Sequence, residues 1–85
     1  MEQTTLNGHK KVILGASVIL RIEPEGETIC YRLVDEKDAD IPAGRLSVLA
    51  PLAQVLFGRA EDELVTLETP GGIRTYRILE IRIGE

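Results

Sequence analysis

Tryptophan is absent from this sequence, and its aromatic residues come to Tyr31, Phe57 and Tyr76. A ligand pocket walled by aromatic rings is therefore not available, and the core has to be built from Val, Ile, Leu and Ala. A single cysteine, Cys30, excludes an internal disulfide, and a single histidine, His9, excludes a His/Cys metal cluster, which needs three or four ligands. Positive charge is in short supply: Lys and Arg together number 10 against 14 Asp and Glu, for a net charge of −4 and a pI near 5.0. That balance argues against nucleic acid as the main partner, although a local basic patch is compatible with it. Long apolar runs are missing too. Val12 to Ile22 is interrupted by Gly15, Ser17 and Arg21, too short a run to span a bilayer. Met1 to Gly8 is polar where a secretory leader would be apolar, so the expectation is a cytoplasmic protein. Internal repeats and low-complexity segments are likewise absent.

What is present is one small domain. At 85 residues, 44% hydrophobic and 28% charged, folding buries roughly 60% of the unfolded chain's surface. The stretch from Ile41 to Gly58 organises the reading. Leu46, Val48 and Ala50 alternate with Ser47 and Leu49 as in a short strand, and the period changes at Pro51. Proline suits the first turn of a helix, so the spacing predicts a helix over Pro51 to Phe57. Leu52, Val55 and Leu56 would share its face, and Gly58 would end it in a left-handed conformation. So short a helix needs a sheet to lie on.

The flanking chain supplies that sheet. Residues 1–11 read as a flexible polar arm and residues 12–85 as the domain. Gly15 marks a bend, Ser17 to Glu23 a strand, Pro24-Glu25-Gly26 a turn, and Glu27 to Val34 the second strand of a hairpin. Ile29, Tyr31 and Leu33 lie on one face of that strand; Cys30, Arg32 and Val34 lie on the other. Asp35 to Asp40 is a charged loop, and Ile41-Pro42-Ala43-Gly44 a second turn. After the helix, Leu64 to Glu68 alternates as a strand. Thr69-Pro70-Gly71-Gly72 reads as a type II turn with Pro70 and Gly71 at its centre. Ile73 to Ile83 returns, and its apolar phase shifts in a way that predicts a bulge near Leu79-Glu80. The order is β-β-β-α-β-β: an α+β domain, a twisted antiparallel sheet with one short helix packed across it.

From Val12 to Ile83 the sequence resembles the C-terminal domain of the bacterial GreA/GreB transcript-cleavage factors, a domain shared with the regulator of nucleoside diphosphate kinase. The resemblance is carried by Tyr31-x-Leu33-Val34, the acidic loop ending Ala39-Asp40, Gly44-Arg45-Leu46-Ser47-Val48, Pro51-Leu52-Ala53 and Leu56-Phe57-Gly58-Arg59. It continues in Thr69-Pro70-Gly71-Gly72 and Tyr76-x-Ile78-Leu79-x-Ile81. It implies an FKBP-like fold and a transcription regulator that docks on RNA polymerase near the entrance of the secondary channel, reaching DNA only through the polymerase. Three departures stand out. Ala50 precedes the helix where the family has a capping serine, and Asp62-Glu63 replaces its Gly-Asp. About ten polar residues stand where those factors carry a coiled coil with an acidic tip, so transcript cleavage is not expected to carry over.

By family analogy the partner-binding residues are Arg45, Leu49, Gln54, Phe57 and Arg59. Phe57 reads as core first and as an exposed anchor second, because large apolar residues are usually inside. Cys30 reads as a buried or half-buried structural thiol, since no histidine follows it to activate it. Asp35, Glu36, Asp38 and Asp40 lack the spacing and glycine of an EF-hand and read as a solvated loop. Pro42, Pro51, Gly58, Gly71 and Gly72 are structural, and Arg74, Arg77 and Arg82 read as a solvated face. No catalytic residue, metal or cofactor is expected, and the oligomeric state is expected to be monomer or weak dimer. Two further readings stay open. One is an interaction module for another partner. The other is a peptidyl-prolyl isomerase, which the shortage of aromatics disfavours and which fold alone cannot establish.

Overall fold

The computed structural model describes residues 10–84. His9 and most of the segment read as an arm lie outside the described residues. Five strands, β1 (Ser17–Glu23), β2 (Glu27–Val34), β3 (Arg45–Ser47), β4 (Leu64–Thr69) and β5 (Gly72–Arg82), form one sheet, with a short helix, α1 (Pro51–Leu56), between β3 and β4 in sequence. The strand order is β3-β2-β1-β5-β4. β5, the last in sequence, lies between β1 and β4.

The alternation seen in the sequence decides which side chains enter the core. Val18 and Leu20 of β1, Leu33 of β2, Leu46 of β3, Val65 of β4, and Tyr76, Ile78 and Ile81 of β5 are buried on one face. Ala53 and Leu56 of α1 close over them, together with Val12 and Ala16 from the chain ahead of β1. The helix therefore buries Ala53 and Leu56 most fully. Leu52 and Val55, expected on the core face beside Leu56, are only partly buried. Ala53 is small enough to let the helix backbone approach the sheet, and that approach leaves the larger neighbours at its margin.

Phase and pairing agree at the bulge. Ile19 opposes Glu80 and Leu20 opposes Ile78, so Leu79 is the extra residue of β5. Gly15, at φ 90°, makes the bend before β1. Lys10 and Lys11 are tied to the domain: the Lys10 ammonium donates to the Ile81 carbonyl at 2.8 Å, and Lys11 bridges to Ala60.

Two local expectations are corrected. β3 pairs with β2 in parallel, not antiparallel, with Arg32 opposite Arg45 and Leu33 opposite Leu46. The exposed charged loop of residues 35–40 contains a 3₁₀ turn, Glu36–Asp38, and the expected second turn is a further 3₁₀ turn, Ile41–Ala43. Gly44, at φ 82°, turns the chain back, and its carbonyl accepts from the Arg32 N–H at 2.8 Å. The chain thus returns to Arg32, two residues before the end of β2, before β3 begins, and the two strands run the same way. The β4–β5 hairpin is the second case. A type II turn would place Gly71 in the left-handed region, but the positive φ, 123°, falls on Gly72. Gly72 pairs with Thr69 and its carbonyl accepts from the Thr69 hydroxyl at 2.7 Å.

Candidate functional site

Four of the five candidate partner-binding residues, Leu49, Gln54, Phe57 and Arg59, lie on α1 or the turns at its two ends, and those turns decide how they are presented; Arg45 lies on β3. β3 stops at Ser47. The Leu49 N–H donates to the Ser47 hydroxyl and the Ala50 N–H to the Ser47 carbonyl, both at 3.0 Å. Ser47 thus bends the chain with its own side chain, the usual behaviour of serine at turns. Gln54, one turn into the helix, donates its side-chain amide to the Val48 carbonyl at 2.8 Å and secures the turn from the far side. Val48 and Leu49 therefore belong to a turn, not to the end of a strand. Leu49, at its tip, is 64% exposed.

The other end of α1 is a type II turn. Phe57 leaves the helical region at φ −57°, ψ 129°, Gly58 takes φ 83°, and the Arg59 N–H donates to the Leu56 carbonyl at 3.0 Å. This is the geometry in which glycine is favoured at the third position. The turn is pinned to buried Val12 by the Gly58 N–H donating to its carbonyl at 2.8 Å and by its own N–H donating to the Arg59 carbonyl at 2.9 Å. Phe57 sits at the outer corner of this fixed turn and is 52% exposed. The expectation of a core Phe57 is corrected. The reason is local: once the backbone turns away at Phe57, its side chain cannot follow Ala53 and Leu56 into the core.

Leu49, Gln54 and Phe57, joined by Val48, line one shallow depression of about 410 Å³. Arg45 and Arg59 do not line it. Arg45 is held by its Nε–H to the Asp38 carbonyl at 3.0 Å and by the Asp40 carboxylate at 3.5 Å. It lines a second depression of about 510 Å³ together with Arg32, Val34, Lys37, Asp38, Ala39 and Asp40. Arg59 donates to the Val55 carbonyl at 3.4 Å and lies 3.7 Å from Glu63, so it serves the C-terminal end of α1 as a basic residue commonly does. Val48 was missed as a lining residue because its alternation with Leu46 read as a strand. The signal against that reading was Ser47, a turn former, two residues before an exposed leucine.

Cys30 is exposed, contrary to the expectation of a buried or half-buried thiol. It lies on the face of β2 opposite Ile29 and Tyr31, which the core takes. The described acidic residues form no group of three or more that could hold a metal ion. The described helix is too short to cross a membrane.

The family model described as "Transcription elongation factor, GreA/GreB, C-term" matches residues 7–83. Transcription elongation factor GreA of Alkalilimnicola ehrlichii is 43% identical over 82 residues, covering 96% of this chain and 52% of that protein. Among solved structures, the GreA/GreB elongation factor of Nitrosomonas europaea aligns with a TM-score of 0.68 at 33% identity, covering 81% of this chain and 57% of that one. GreA factor homolog 1 of Thermus thermophilus aligns with a TM-score of 0.75 at 26% identity, covering 88% of this chain and 49% of that one. The chain spans about half the length of the curated relatives it matches.

Proposed function

The chain belongs to the family of GreA/GreB transcription elongation factor C-terminal domains, and from that premise we propose that it is a transcription regulator of the cytoplasm, docking on RNA polymerase near the entrance of the secondary channel. The docking unit is the domain of residues 12–85, and the contact surface is the ledge made by α1 and its two turns. The observation that carries this reading is the pair Leu49 and Phe57, 64% and 52% exposed on turns fixed by hydrogen bonds. Large apolar side chains held rigid at a surface are what protein interfaces use as anchors, because little freedom is lost on binding. Gln54 adds an amide beside them, and Arg59 supplies positive charge at the margin, whereas Arg45 lies away from this ledge, in the depression with Arg32 and Asp40. Rim charges of this kind act mainly on association rate and salt dependence. On this reading the chain acts by docking and not as an enzyme.

Competition tests the reading. Labelled full-length GreA is bound to RNA polymerase and this protein is titrated in. Displacement at micromolar concentration is expected. It should weaken about tenfold or more in Phe57→Ala and in Leu49→Ala, by the usual size of an anchor's contribution. Arg59→Glu should shift the salt dependence. Added to a backtracked elongation complex, the protein should leave the RNA unshortened beyond the polymerase's own rate. Absence of displacement at several hundred micromolar would overturn the docking assignment.

A further inference from the structure

The face of the sheet turned away from α1 carries arginines in register. Arg45 of β3 pairs with Arg32 of β2, Arg32 with Ser17 of β1, and Ser17 with Arg82 of β5. Their neighbours Leu46, Leu33, Val18 and Ile81 are buried in the core, so by alternation all of this row points outward. At about 4.8 Å between strands, the row places the backbones of three arginines across about 14 Å. Four residues further along β1, Arg21 pairs with Arg77 on the same face. Lys37 joins Arg32 and Arg45 in the depression of about 510 Å³ at the β3 end of the row.

These side chains are held in place. The Nε–H of Arg32 donates to the Gly15 carbonyl at 3.2 Å, that of Arg45 to the Asp38 carbonyl at 3.0 Å, and that of Arg82 to Glu80 at 3.0 Å. Glu23 lies 2.9 Å from Arg21 and 3.7 Å from Arg77. The six cations outnumber the five carboxylates on this face, Glu23, Glu80, Asp38, Asp40 and, on β4, Glu68. The face is therefore cationic on a chain whose net charge is −4.

We propose that this outer face, along the row Arg45–Arg32–Ser17–Arg82, is a second interaction surface that takes the phosphate backbone of a nucleic acid strand. Phosphate is the anion that repeated, outward guanidinium groups fit without further anchors. An acidic peptide would call for apolar pockets beside the charges or for an open strand edge. The row and the middle strip of Cys30, Ile19 and Glu80 carry no large exposed apolar side chain; Leu64 and Ile73, exposed on the same face, lie outside them at its β4 side, Leu64 opposite Arg77. With no exposed aromatic ring on this face, bases are not stacked, and binding is indifferent to sequence. The acidic remainder of the chain repels a polyanion, which restricts contact to this side. The inference departs from the expectation that DNA is reached only through the polymerase, and it stands independently of docking through α1.

The test is fluorescence anisotropy of a labelled oligothymidine 20-mer with the full chain and no polymerase. At low salt, binding is expected at dissociation constants of about 10⁻⁴ M or tighter. Three neutralised phosphates give a slope of about −2 in log K against log salt, so affinity should fall about twentyfold from 50 to 200 mM. Arg32→Glu and Arg82→Glu should each lose tenfold or more, and Arg32→Lys should retain most of the binding. Circular dichroism melts check that each variant is folded, and Arg45→Gln at the exposed edge gives an independent reading. Phe57→Ala should bind the oligonucleotide like the parent while losing polymerase displacement. No binding at 50 mM salt, binding unchanged by the Glu variants, or equal binding of labelled poly-glutamate would overturn the proposal.

Discussion

Asp62 holds φ 73°, a left-handed backbone at a residue with a Cβ, in the turn before β4. Its N–H donates to the Ile78 carbonyl at 2.6 Å, and its own carbonyl accepts from Arg77 at 3.2 Å, so the surrounding sheet imposes the conformation. Left-handed backbone costs an ordinary L-residue about 1–2 kcal/mol, less for Asp. Asp62→Ala is therefore expected to lower stability by about 1 kcal/mol, and Asp62→Gly to be as stable as the parent or slightly more so, read as urea midpoints at constant m. Equal stability of the Ala and Gly variants would show that the left-handed backbone is not retained. Glu80 sets a second expectation. The Arg82 guanidinium, hydrogen-bonded to it at 3.0 Å, holds its carboxyl below the usual carboxylate value. A depressed carboxyl adds stability above its unfolded value and loses that contribution as pH falls through the folded one. In a proton NMR titration Glu80 should titrate below the ordinary glutamate value, and Arg82→Gln should move it back toward that value. At this scale Asp62 was legible as a departure from the family's glycine. Phe57 was not, because residue type favours the core and only the turn's dihedrals place it outside.

Elements were legible to the extent that their sequence period was long enough to read. β1 and β2 lie where alternation placed them, and the phase shift in β5 located the Leu79 bulge. Pro51 opens α1, and Phe57 and Gly58 close it. The three-residue β3 was too short for its period to separate it from the turn that follows. Its direction was invisible, since parallel pairing depends on how tightly residues 35–44 coil. The start of α1 carries an open expectation. Ala50 takes the extended N-cap conformation, φ −66°, ψ 147°, with no side-chain acceptor for the first helical N–H groups. Ala50→Ser supplies one and should raise stability by about 1 kcal/mol, a shift of roughly 4–8 °C in Tm for a domain of this size. A melt no higher than the parent's would mean that the serine hydroxyl does not reach those donors.

Across the whole molecule, chemistry divides between the two sides of one sheet. The α1 side carries Leu49 and Phe57, and the outer side carries the arginine row. The first was partly legible, because turn and helix signals drew attention to that stretch; three of its five candidate residues share a depression. The second was not, because Arg32, Arg45 and Arg82 are scattered along the chain and only register aligns them. The position of β5 has a consequence in time. Translation delivers β1, β2, β3, α1 and β4 before β5, yet β5 lies between β1 and β4. Until β5 has left the ribosome, β4 has no neighbour to pair with, and Ile78 and Ile81 are missing from the core. A nascent chain arrested with Gly71 just outside the exit tunnel should therefore be cut readily by protease, and one arrested far enough on to expose Arg82 should resist. Protection at the earlier arrest point would show that the β1–β2 hairpin and α1 hold together unaided. Folding is thus withheld until the strand that joins the two halves has been made, and the exposed apolar strands of the waiting chain are where a chaperone would act.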